Sequence, residues 1–303
     1  MGTDVVRSDR GVEATEPSWG RARKIAFYAV VTLLLVAIGL VFWKVNLFWI
    51  LAWLPGDFLE RFYASQLEFD HVTGLFAPHI VHYLALSASH VIVLFGLAVQ
   101  LRRPWTRVAL IWQSAGALLL PVLTLPFVLV SVGLSQAPPP VFAAMALVLA
   151  GALLHPGNPV RKPPKPADRL MSGLWAIAAI PAAVLVISQL QLELSGVPAD
   201  PHWQGLHYNV MAEFGLHVIL VGLIGASALS RWRYSAWSAS FMVGLLGVGS
   251  VVYPDLAGSQ GVAWGIAMVV WAGLYLLATE SRHRRNGVTR RAATISASES
   301  NEP

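Results

Sequence analysis

The sequence predicts an all-α polytopic membrane protein: eight transmembrane helices, arranged as a 4+4 parallel internal repeat. Three observations carry that expectation: scarce charge, eight apolar runs, and basic residues confined to alternate loops. Of 303 residues, 56% are hydrophobic and 12% charged, with a mean hydropathy of +0.60. A soluble domain carries about 25% charged residues, so half that charge points to lipid as the solvent. There are no cysteines, which excludes disulfides, thiolate metal sites and catalytic thiols. The net charge of +5 does not point to nucleic acid, because its lysines and arginines sit in short loops between apolar runs.

A spanning helix needs about 20 apolar residues. Runs of that order lie at 25–43, 79–101, 108–132, 171–192, 207–229, 236–253 and 262–279, with a shorter eighth at 140–155. After the first run, NLFWILAWLP (46–55) reads as an interfacial or re-entrant helix. PGDFLERFYASQLEFD (55–70) reads as an amphipathic surface helix. Pro121 and Pro126 predict a kink in the third span. Trp264, Met268, Trp271 and Tyr275 form a stripe on the eighth, for packing or lipid contact. Gln113, Gln189, Gln191 and Glu193 lie near span ends, where snorkelling suffices.

Of the 21 lysines and arginines, all but Lys44 and Arg61 fall in the two tails or at 101–107, 161–169 and 231–233. If basic loops are cytoplasmic, both termini are inside, the span count is even, and the chain is a multi-pass plasma-membrane protein. The loops at 56–78, 133–139, 193–206 and 254–261 then face out. The domain layout expected is a disordered cytoplasmic tail at 1–20 and a first four-helix half at 21–155. A Pro-rich basic linker at 156–169, a second half at 170–282 and a disordered tail at 283–303 follow. The first run is too long, and its polar leader too extended, for a cleavable signal peptide.

Two similar stretches suggest the repeat. HVIVLFGLAVQLRRPW starts at His90 and HVILVGLIGASALSRW at His217, each with a tryptophan fifteen positions on. His82-Tyr83 and His207-Tyr208 lie near the starts of the corresponding spans, and HVTGL (71–75) matches HWQGL (202–206) in the outer loops. Four spans per unit would relate the halves by an axis along the membrane normal, with spans 2 and 6 lining a site between them.

Seven of nine histidines gather toward the outer side: His71, His79, His82, His90, His202, His207 and His217. His155 and His283 fall on the inner side. Counting helical rise puts His90 and His217 about 15 Å into their spans, near the midplane. Glu213 and His217 are spaced i, i+4 and can meet on one helical face. An acid inside a span is costly and defaults to a functional expectation. The candidate ligand-binding residues are therefore His79, His82, His90, Glu213 and His217, with His71 and His202 capturing ligand at the outer surface. His90 and His217 are the candidate metal ligands.

Three functions are compatible with this set. The first is binding or transport of a cation or small polar solute, imidazole plus carboxylate suiting divalent transition metals such as Zn, Cu, Fe or Ni. The second is an intramembrane haem or metal redox protein or enzyme, with Glu213 as proton relay or orienting group. The third is a non-catalytic assembly protein. The chain has no Gly-rich phosphate loop, no H-E-x-x-H and no G-x-S-x-G.

In outline, the eight-span layout with histidines toward the outer side resembles that of haem A synthases. That resemblance implies haem-ligand histidines on the second and fourth helices of each half. His90 and His217 match the second-helix positions, and Glu213–His217 echoes the family's carboxylate–histidine pair. The fourth span has only His155, at its inner end, and the eighth has none.

Overall fold

The computed structural model describes residues 19–42, 80–124, 126, 139–157, 159, 163–195 and 207–299. These hold eight α-helices: α1 (Arg21–Phe42), α2 (Ile80–Ala98), α3 (Val108–Leu119), α4 (Pro139–Leu154), α5 (Arg169–Ser195), α6 (His207–Ala226), α7 (Trp232–Val252) and α8 (Gly261–Glu299). Each expected apolar run falls on one of them. Six are long and apolar enough to cross a membrane, whereas Val108–Thr124 and Met145–Leu154 are shorter apolar helices. The described residues thus hold six candidate membrane spans, as a multi-pass membrane protein does. No strand occurs among them; Pro166 and Ser227 form only an isolated bridge.

Large apolar side chains on the outer faces are left bare, as a lipid-embedded bundle requires. Leu40, Ile180 and Leu277 are 64%, 69% and 66% exposed. Inside the bundle, small residues let helices approach closely, the packing that membranes favour. A side chain at Gly96 would collide with Ser114, and one at Gly116 with Leu220. At Gly225 it would meet the backbone of Ala236.

The helix contacts have a regular plan. α1 packs on α2, α2 on α3, α3 on α4, and α4 back on α1. In the same way α5 packs on α6, α6 on α7, α7 on α8, and α8 back on α5. Between the two groups, α2 and α3 each pack on both α6 and α7.

Hydrogen bonds gather the basic loops, the start of α1 and the Glu280–Arg282 stretch of α8 at one end of the bundle. Arg23 on α1 donates to the carbonyls of Leu153, Leu154 and His155, closing the open C-terminus of α4. Asp168 caps α5 by accepting from the Met171 amide at 3.0 Å. The buried Arg282 guanidinium donates to Gly225 and Ser227 carbonyls at the end of α6, lies 3.7 Å from Asp168, and sits 3.9 Å over the Trp232 ring. In the same region the Arg233–Glu280 pair joins α7 to α8, and Trp112 donates to Pro159 of the inter-half segment. α8 continues to Glu299, past residue 283, where composition suggests a tail. Its Arg- and Ala-containing continuation suits a helix without an apolar face.

Candidate functional site

The expected site residues separate into three groups. His71, His79 and His202 lie outside the described residues, as do the two surface segments at 46–55 and 55–70. His207 opens α6. The remaining four, His82, His90, Glu213 and His217, are on α2 and α6, which pack directly together.

α3 serves as a ruler for their depth. The Ser114 hydroxyl donates to the Val93 carbonyl at 3.0 Å, and the Gln113 amide to the Ile92 carbonyl at 3.1 Å. Two residues along α3, Gly116 packs on Leu220 of α6. Val93 and Leu220 therefore lie at one level to within a turn, about 5 Å. His90 and His217, each three residues earlier on helices running in the same direction, share a level too. His90 also bonds to the Leu86 carbonyl of its own helix.

Glu213 is the acidic centre of the site. Its Oε1 accepts from the Asn209 amide at 2.7 Å and from the Thr124 hydroxyl at 3.1 Å. Thr124 reaches it past an interruption of the helix at Leu120, after which helical residues resume with Pro121. Proline lacks the amide that would continue the ladder but is well suited to a first helical turn. Asn209, Glu213 and His217, at i−4, i and i+4, lie on one side of α6. Glu213 and His217 do not pair through Nε2. That nitrogen is buried and makes no hydrogen bond among the described residues, and the same holds for Asn209 Oδ1. Buried polar atoms are nearly always satisfied; these two stand one turn to either side of the Glu213 carboxylate.

His82 is buried two turns up α2, away from the chain termini. Its ring packs on Gly258, in the turn joining α7 to α8: a side-chain carbon there would stand 3.0–3.2 Å from three ring atoms. Gly258 has a φ of +84°, a conformation natural to glycine. His82 is thus covered by the loop between α7 and α8 and not grouped with Glu213.

No known protein family, curated protein or solved structure matches this chain. The resemblance to haem A synthases therefore remains one of layout. Among the described residues, no cluster of three or more histidine, aspartate or glutamate side chains is disposed to hold a metal ion.

Thr124 and Asn209 were absent from the sequence expectation. Asn209 carried a usable signal, four residues before Glu213; Thr124 carried none, since only the break at Pro121 aims it. Gln113, Gln189 and Glu193 are buried and do not snorkel from span ends. His155, expected simply at the inner end of the fourth span, is fully buried there. Its Nδ1 accepts the Gly157 amide at 3.0 Å, which leaves the proton on Nε2 to bond Gln100 Oε1 at 3.1 Å.

Proposed function

We propose that this protein binds a small cation or polar solute between α2, α3 and α6, and carries it across the membrane. The observation that carries this reading is the Asn209–Glu213–His217 face of α6. A carboxylate is held there by two donors inside a lipid-exposed bundle, flanked by two buried polar atoms without partners. An uncompensated carboxylate in such surroundings costs several kcal/mol, and a cation seated against it removes that cost. With no third protein ligand for a resident metal among the described residues, the reading favours an ion held weakly enough to leave.

The contact plan supports the further reading that all eight helices cross the membrane as two copies of a four-helix unit. Two closed rings, α1–α4 and α5–α8, meet through equivalent helices, α2 and α3 against α6 and α7. His90 and His217, equivalent in the two sequence stretches, share one depth. A pseudo-two-fold axis between α2 and α6 produces that arrangement, and rocking of the halves about it would expose the site alternately. The basic end, where α1 starts, is then cytoplasmic, and the plasma membrane is the location proposed with it.

The test is thermal or denaturant stabilisation of purified protein by sodium, potassium, zinc, nickel and tetramethylammonium. A binding cation at 100 times its Kd adds about 2.7 kcal/mol; Glu213→Gln should abolish the gain. No stabilisation by any of the five, or an equal gain in the variant, refutes the cation reading.

A second reading rests on His90 and His217 standing at one depth on two helices, α2 and α6, that pack together, a placement that two axial ligands of one haem would share. A Soret band on haem addition, lost in the His90→Ala/His217→Ala double variant, would establish it. Absence of the band, together with cation binding, would leave the first reading.

A further inference from the structure

The second four-helix ring holds a cavity of about 440 Å³, lined by all four of its helices and separate from the polar site. α6 divides the two: Phe214, Gly215 and Val218 face the cavity, whereas Asn209 and Glu213 lie on the side that meets Thr124 of α3. The size is that of a small-molecule pocket. Its walls are Pro181, Phe214, Leu246, Trp264, Met268 and Trp271. The aromatic stripe on α8 divides between packing and exposure, and three of its four residues also line this cavity. Trp271 is buried, stacked on Tyr275 at 4.8 Å, and Trp264 stands 57% exposed at the lip.

The polar atoms around the cavity are few and mostly engaged. The Trp271 indole donates to the Leu174 carbonyl at 2.8 Å, and the Ser188 hydroxyl to Leu185 at 2.9 Å. A water molecule needs two to four polar partners, and this wall does not supply them. The lip opens sideways, because Ile177, Ile180 and Val184 on α5 line the cavity while 62%, 69% and 62% exposed. The side it opens to is lipid.

The cavity also has a direction. Its two polar residues, Ser188 on α5 and Gln260 just before α8, both lie toward the end of the bundle away from the chain termini. From Ser188 to Ile177 on α5, and from Gln260 to Trp271 along α8, the distance is eleven residues, about 16 Å at helical rise. That is half of the ~30 Å hydrocarbon core, the depth of one leaflet.

We propose that this cavity is a specific site for one hydrocarbon chain of an amphiphile, acyl or isoprenyl, whose headgroup lies at the membrane surface beside Gln260. The chain runs from the surface to mid-bilayer between α5 and α8, against Trp264, Met268 and Trp271. Hydrocarbon removed from lipid gains nothing from the hydrophobic effect, so selectivity comes from the fit against two indoles and a thioether.

The test uses delipidated protein in a non-ionic detergent, titrated with 9,10-dibromostearic acid, a chain that quenches tryptophan on contact. Wild-type protein should show saturable quenching of up to about two of its twelve tryptophans, above a linear background from partition into the micelle. Ala178→Phe with Ala267→Phe, which fill the cavity, should remove the saturable part. Ala263→Phe, exposed on α8, should retain it. Melting curves check the fold of each, and Ala267→Phe alone serves if the double variant does not fold. Purely linear quenching of wild type, or an unchanged saturable part in the filled variant, overturns the proposal.

Discussion

Replacing Gly258 by alanine tests how the loop between α7 and α8 is held over α2. Two costs follow from the geometry. The φ of +84° places an L-residue in left-handed space, which costs about 1–2 kcal/mol. The new methyl also stands 3.0–3.2 Å from the His82 ring, and overpacking of that kind costs about 1–3 kcal/mol. Gly258→Ala should therefore lose roughly 2–5 kcal/mol. The two parts separate in a double-mutant cycle, because truncating His82 removes the collision and leaves the backbone strain. In a His82→Ala background the same substitution should cost only the ~1–2 kcal/mol of strain, a coupling of about 1–3 kcal/mol. Reversible unfolding in mixed micelles, followed by tryptophan fluorescence, measures all four corners. An equal cost of Gly258→Ala in both backgrounds would refute the contact, and with it the account of how His82 is covered.

Two further predictions concern the basic end of the bundle. Arg282→Ala removes a buried guanidinium that binds two helix-end carbonyls and Asp168 and should cost about 3–5 kcal/mol in the same unfolding assay; Arg282→Lys, lacking the planar fork, should recover less than half of it. Gln100→Leu strands the buried His155 Nε2–H, which now bonds Gln100 Oε1, and should cost about 1–3 kcal/mol, whereas the exposed Leu101→Ala next to it should be close to neutral.

Helices were legible in the sequence because hydropathy acts locally. The run at 171–192 became Arg169–Ser195, and that at 236–253 became Trp232–Val252. Capping and breaks set the details: Asp168 fixes the start of α5, and the ladder of α3 is interrupted at Leu120, before Pro121. Counting helical rise places His90 and His217 equally far along their helices, and the contacts of α3 set the two level. Glu213 stood out because acids are rare inside spans. Its partners did not, since Thr124 arrives from another helix through a proline break. Nor did the cover over His82, which depends on a glycine far along the chain. The lipid-sized cavity was equally hidden: Trp264, Met268 and Trp271 show a stripe in the sequence, but not the helices that stand back from it.

The most direct test of the central claim is labelling of the folded protein with an apolar carbodiimide, with Glu213 followed by peptide mass spectrometry. The account predicts modification at Glu213 that is slowed by whichever cation stabilises the protein and by no other. No reaction at Glu213, or a rate indifferent to every cation, would contradict a cation site between α2, α3 and α6.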